Sequence, residues 1–212
     1  MAEFNSLTFG TISGRHGSAV ATTTKNGKSI LRVFRKSVDA KTDKQVAHRN
    51  KFSFAVAFLS PMRDILNDTF KNKGGYNYGF ALAMKSAIVG NAPDFEVDYS
   101  KLYFAEGSLI PAKELVVTKT AAGKLKLNWN TSNINAIVKG GAKANESVNV
   151  VLYNETEKES MFLENVVERI TAEAEVECPD YWTGGKVHCW LYFSRPDGCM
   201  NSLSAYSGNV VL

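Results

Sequence analysis

Lys186-Val187-His188-Cys189-Trp190-Leu191-Tyr192-Phe193 is the stretch on which the fold turns. Val187, Cys189, Leu191 and Phe193 alternate with His188, Trp190, Tyr192 and Ser194, a period of two that belongs to a strand and not to a helix. The same period recurs upstream, where Leu125, Leu127 and Trp129 alternate with Lys124, Lys126 and Asn128. Leu115–Lys119, Ser147–Asn154, Ala174–Cys178 and Ala205–Leu212 read as further strands. Gly123, Gly140-Gly141, Gly184-Gly185 and Asp197-Gly198 supply turns between them. So many short strands in about 100 residues point to a β-sandwich of immunoglobulin-like or fibronectin-like type over residues 108–212. Trp129 is its expected core anchor, and Val166–Ala174 a short helical or irregular connection. Gly107-Ser108-Leu109-Ile110-Pro111 marks the boundary before it.

Upstream the period is helical. Thr42-Asp43-Lys44-Gln45 has the T-x-x-Q form of a capping box. Val46, Phe52, Ala55, Val56 and Leu59 then fall near one face, and Lys44, His48, Arg49 and Lys51 on the opposite surface. Pro61 should kink or restart this helix, and Met62–Phe70 continue it. Lys71–Gly75 reads as a loop. Tyr78–Val89 reads as a second helix with Gly90 as its C-cap, which makes an antiparallel helical hairpin. Phe95, Val97, Tyr99, Leu102 and Phe104 suggest a connecting strand with a bend. The expected domains are thus an arm over 1–41, a helical segment with its strand over 42–107, and the sandwich: an α+β chain.

The arm is rich in Gly, Ser, Thr and Lys. It holds β-like runs at Leu7–Ile12, Ser18–Thr23 and Ser29–Phe34, with Asn26-Gly27 as a hairpin turn. It is also where the charge sits. Residues 1–52 hold ten Lys/Arg and three Asp/Glu, a net of +7, while the remaining residues hold 15 and 18, a net of −3. Such asymmetry points to an anionic partner or to the body of a neighbouring copy. Arg32, Arg35, Lys36, Lys44, Arg49 and Lys51 form the candidate basic interaction surface, with Phe34 and Phe52 interleaved. It is readable as a nucleic-acid contact, a docking arm or an ordinary solvated face.

Little else carries chemistry. No G-x-S-x-G, H-E-x-x-H or P-loop spacing is present. Gly14-Arg15-His16-Gly17-Ser18 lacks the spacing of a phosphate loop and does not lead into a helix. Glu155, Glu157, Glu159, Glu164 and Glu168 read as solvated charges that discourage edge pairing. Cys178, His188, Cys189 and Cys199 lack the C-x2–4-C spacing of a zinc site, and the adjacent His188 and Cys189 point to opposite faces of a strand. No cofactor, metal or catalytic residue is therefore expected. Three cysteines without a secretory signal are expected as free thiols. The opening residues have no apolar signal core, and the apolar cluster Phe52–Leu59 is far shorter than the about 20 residues of a membrane span. A soluble cytoplasmic or particle-associated protein without a membrane span is expected.

Gly10-Thr11-Ile12-Ser13-Gly14-Arg15-His16-Gly17-Ser18-Ala19-Val20, with Thr42-Asp43-Lys44-Gln45 and Arg49-Asn50-Lys51-Phe52, resembles an uncharacterised family common in Bacteroidota. That family opens with G-x-x-S-G-K-x-G-x-x-V and continues with T-x-x-Q-x-x-x-R-x-x-F. Asn91–Lys101 looks like its mid-chain strand, and Tyr206–Val211 like its last. Arg15 and His16 depart from the pattern. Similar openings look familiar from phage-like particle proteins. The family has no established activity, so the resemblance assigns no catalytic residue. Together these readings lead to an expected non-enzymatic structural or assembly protein whose partners are other copies of itself or other assembly proteins, with nucleic-acid association as the alternative.

Overall fold

The structure, a computed structural model, describes residues 2–3, 13–36, 42–121, 123–132, 134, 143 and 145–212. The chain divides into two compact units, Met1–Thr42 and Asp43–Leu212.

The first unit is one antiparallel sheet. Its strands are β1 (Ala2–Glu3), β2 (Gly14–His16), β3 (Ala19–Thr23) and β4 (Ser29–Val33), in the order β1-β4-β3-β2. Thr23 pairs with Ser29 across the turn at Asn26-Gly27, where Gly27 takes φ +75° that a side chain would resist. The expected run Leu7–Ile12 lies outside the described residues. Among the unit's described side chains only Ala21 is buried, and Leu31, Val33 and Phe34 face solvent.

The second unit begins with α1 (Asp43–Leu59), one residue after Thr42, and continues through a 3-10 turn at Ser60–Met62 into α2 (Arg63–Thr69). Pro61 sits in that turn, where its missing N–H costs nothing. After a further 3-10 turn comes α3 (Tyr76–Ser86). The second helix was expected to run to Val89 and cap at Gly90. It ends at Ser86, and a hairpin of β5 (Ile88–Asn91) and β6 (Asp94–Val97) follows, with Gly90 opposite Phe95. Ile88 and Val89 are β-branched and near-neutral in helix propensity, so pairing with β6 decides their conformation.

The rest is strands: β7 (Val116–Ala121), β8 (Lys124–Asn128), β9 (Ser147–Asn154), β10 (Glu159–Leu163), β11 (Glu173–Glu177), β12 (Lys186–Ser194) and β13 (Ala205–Val211). One antiparallel sheet has the order β10-β9-β12-β13 and another β11-β8-β7, so the molecule is α+β. The two sheets share a core in which Leu125, Leu127 and Trp129 meet Val150, Leu152, Leu191 and Phe193. β10 was not expected; its Glu159 and Ser160 masked an alternation of Met161 and Leu163 with Phe162.

β9 and β12 are buried on both faces. Their second face, Val151, Tyr153, Trp190 and Tyr192, forms another core with Leu59, Met62, Leu66, Phe70 and Phe104. The sequence boundary at 107/108 therefore falls inside one unit. Gly107 packs so closely on the Asn201 carbonyl that a β-carbon there would lie 2.0 Å from its oxygen. A buried ion pair ties the sheet ends. Arg169 Nη1 donates to Glu146 at 2.7 Å and to the Ile110 carbonyl at 2.9 Å, over the ring of Phe193. Trp129 donates its indole N–H to the Arg169 carbonyl at 2.9 Å.

Candidate interaction surface

The six candidate basic residues fall in both units. Arg32 lies on β4, and Arg35 and Lys36 follow it in exposed extended chain, all within Met1–Thr42. There Arg15 places its guanidinium 3.8 Å over the Phe34 ring, and its Nε donates to the Gly17 carbonyl, so the cation is held flat on an aromatic face. Lys44, Arg49 and Lys51 lie on α1 in the second unit.

The helix does not divide as its sequence suggested. Ala55 and Leu59 are buried, but Val46, Phe52 and Val56 are exposed, Phe52 by 49%. The helical repeat explains why. His48, Lys51, Ala55 and Leu59 recur at spacings of three and four and so share one side. That side meets the body only in its last two turns. Nearer the N-terminus it runs on into a shallow hollow of about 460 Å³, walled by His48, Lys51 and Phe52 of α1 and by Phe80, Met84 and Lys85 of α3. Phe52 meets Phe80 edge-on at 5.0 Å, and Tyr76 packs against Phe80 at 5.8 Å. The result is an apolar floor with cations at its rim, on a helix whose outer face also carries apolar groups. Apolar surface of this kind marks contact surfaces more often than plain solvated ones.

A second cluster carries the chemistry that the sequence could not bring together. His188, though a strand neighbour of Cys189, is 1% exposed and sits on the helix-covered face. Its ring stacks on Tyr99 at 3.6 Å between centroids. Its Nε2 lies 3.3 Å from Glu155, which also pairs with Lys186 at 2.9 Å, and its Nδ1 lies 2.7 Å from the Tyr206 hydroxyl. With a carboxylate on one side, Nε2 carries the proton and Tyr206 donates to Nδ1. A bulge in β13 between the partners of Cys189 and Trp190 sets Tyr206 opposite Trp190 and so on this face. Burial pushes the His188 pKa below its ordinary value and outweighs the attraction of Glu155, whose own pKa is lowered first by Lys186. A neutral, hydrogen-bonded imidazole enclosed by Tyr99, Tyr153, Trp190 and Tyr206 is built as a structural hub. His188 and Cys189 point to opposite faces, as the strand period required, with Cys189 in the core between the sheets.

Cys178, Cys189 and Cys199 are free thiols. Burial pushes Cys178 up to about 11 and Cys189 up to about 12, which leaves both protonated and poor nucleophiles at neutral pH. Among the described residues no group of His, Cys, Asp or Glu is arranged to hold a metal ion, and no helix is long and apolar enough to cross a membrane. A protein-family model described as a family of unknown function (DUF6266) matches residues 11–208. No curated protein matches the chain.

Proposed function

We propose that this chain, which belongs to the family of unknown function DUF6266, is a non-enzymatic structural protein that assembles with further copies of itself. The observation that carries this reading is the α1–α3 hollow, with exposed Phe52 on its wall and Lys51, His48 and Lys85 around it. Its occupant is a second copy. Residues 155–180 hold nine Asp/Glu against two Lys/Arg, a local net of −7 that complements the +7 of residues 1–52. Much of that acid lies on or beside β10 and β11, the strands at one end of each sheet order, with Glu157 and Glu164 flanking β10 and Glu175 on β11 all exposed. The two facing sheets suit an immunoglobulin-like or fibronectin-like sandwich, and the first unit suits an arm that presents strands and charge to a neighbour. The likeness of the opening motif to a Bacteroidota family and to phage-like particle proteins favours a particle component.

Light scattering on a variant combining Phe52→Ser, Lys44→Glu and Lys51→Glu tests this. The native chain is expected as an oligomer and the variant as a monomer with an unchanged unfolding transition. A native chain that is monomeric at high concentration, or a variant of unchanged mass, defeats the reading. One feature favours a second reading, nucleic-acid association: His48, Lys51 and Lys85 line the hollow beside the half-exposed Phe52 ring, which a base could stack on. Binding of single-stranded DNA that weakens steeply with salt would establish it, and its absence at low salt would remove it.

A further inference from the structure

A second opening lies elsewhere in the same unit, with a chemistry unlike that of the hollow. It is a cleft of about 420 Å³, within the range of about 300–1,000 Å³ usual for small-ligand sites. The end of α2 and the turn after it form one wall. Gly107-Ser108, the loop Glu164-Asn165 and the segment from Tyr192 to Asn201 form the others. Three cations, Lys71, Lys73 and Arg195, are balanced by three carboxylates, Asp68, Glu106 and Glu164.

Part of this inventory is already used. Tyr78 donates to Glu106 at 2.6 Å, and Lys73 pairs with the same carboxylate at 3.0 Å. Asn149 donates to the Ser194 hydroxyl and accepts from the Asn165 backbone N–H. What remains is a set of groups with unfilled capacity. Arg195 Nε is buried with no acceptor. Tyr192 is 4% exposed, and its hydroxyl has no partner among the described residues. Its charged form is disfavoured by burial and by the neighbouring Glu164 and Asp68, which keeps it a donor. The side-chain amides of Asn72, Asn165 and Asn201 complete the lining. A buried donor without a partner, as at Arg195 Nε, is costly, and a polar ligand or water removes that cost.

We infer that this cleft is a binding site for a neutral, polyhydroxylated ligand, a mono- or disaccharide. Zero net charge across the lining argues against a phosphate or a polyamine. Amides, carboxylates and guanidinium side by side supply acceptors and donors in alternation, which is what a row of hydroxyl groups requires. Pro196 and Met200, the apolar lining residues that reach the surface on this segment, offer an edge for a sugar ring and no pocket for the side chains of a peptide.

Saturation-transfer NMR on the full chain tests this with maltose, lactose, cellobiose and N,N′-diacetylchitobiose, and with inorganic phosphate as the charged control. At least one disaccharide is expected to bind and phosphate to leave it undisplaced. Tyr192→Phe and Glu164→Gln should each weaken binding by about tenfold, the effect of losing one hydrogen bond to a desolvated group. Glu164 is exposed, so its variant keeps the test alive if the tyrosine variant unfolds. Phe52→Ser should leave binding unchanged, which separates this site from the assembly surface. Failure of all four saccharides to bind, competition by phosphate, or affinities indifferent to Tyr192→Phe and Glu164→Gln would overturn the assignment.

Discussion

The sheet of the first unit buries one described residue, Ala21, whereas β9 and β12 bury almost every side chain on both faces. Both are antiparallel, and both follow from alternating sequence. The difference lies in what covers them. β12 alternates apolar residues with His, Trp and Tyr, so its second face is amphipathic and needs a layer that is apolar yet offers hydrogen-bond partners. The helices and the turn at Tyr99 supply it: Trp190 donates its indole N–H to the Tyr99 carbonyl at 3.2 Å. β3 and β4 alternate too, but with Thr, Arg and Ser, and the described part of their unit has no second layer to give them. A sheet so thinly covered gains little from apolar burial, and under the proposed assembly a neighbouring copy would supply the missing layer.

The comparison is broken most severely by disturbing the double-sided sheet. Glu146→Ala leaves Arg169 buried without its carboxylate and is expected to cost about 3–5 kcal/mol, measured by chemical denaturation. Trp190→Ala, which empties the helix-covered face, should cost a similar amount, about 3–5 kcal/mol. Costs below about 1 kcal/mol for both would show that this sheet is not the stabilising centre.

His188→Gln sharpens the account at intermediate size, about 1–3 kcal/mol, through the lost partners of Tyr206 and Glu155. It also has a pH signature. The folded form holds the His188 pKa down, so the unfolded chain takes up a proton more readily. Stability is therefore full above the ordinary value of about 6.5 and falls as the pH drops from there towards the depressed folded value. The variant should lose that slope. An unchanged slope would place the titration elsewhere. At the small end, Val33→Thr on the first unit should change the stability of the chain by no more than about 0.5 kcal/mol, because Val33 is 73% exposed.

The strands that close the fold were largely legible. β8 and β12 alternate cleanly, and the observed ends of β8, β9 and β12 lie within a residue of those read from sequence. β10 was not, because Glu155, Glu157 and Glu159 crowd its start and carry the look of a solvated loop. On α1 the apolar residues were legible but their burial was not. Val46, Phe52 and Val56 look like a core stripe, yet on α1 only Ala55 and Leu59 are buried, and Phe52 meets the body only edge-on at Phe80, since the helix outruns the surface that its last turns pack on. The basic residues were found as a run in sequence, whereas their division between two units depends on the tertiary structure. The His188 cluster and the polar cleft were invisible for a related reason. Each gathers residues from elements far apart in the chain, and no local spacing encodes such a meeting.

The central claim is that the thinly buried basic surface is completed by another copy of the chain. Sedimentation velocity of the intact 23.3 kDa protein over a concentration series, at low salt and at about 0.5 M salt, tests it most directly. The account predicts a species of two or more chains at low salt that dissociates as salt screens the charges. A single 23.3 kDa species at every concentration and both salt levels would contradict it.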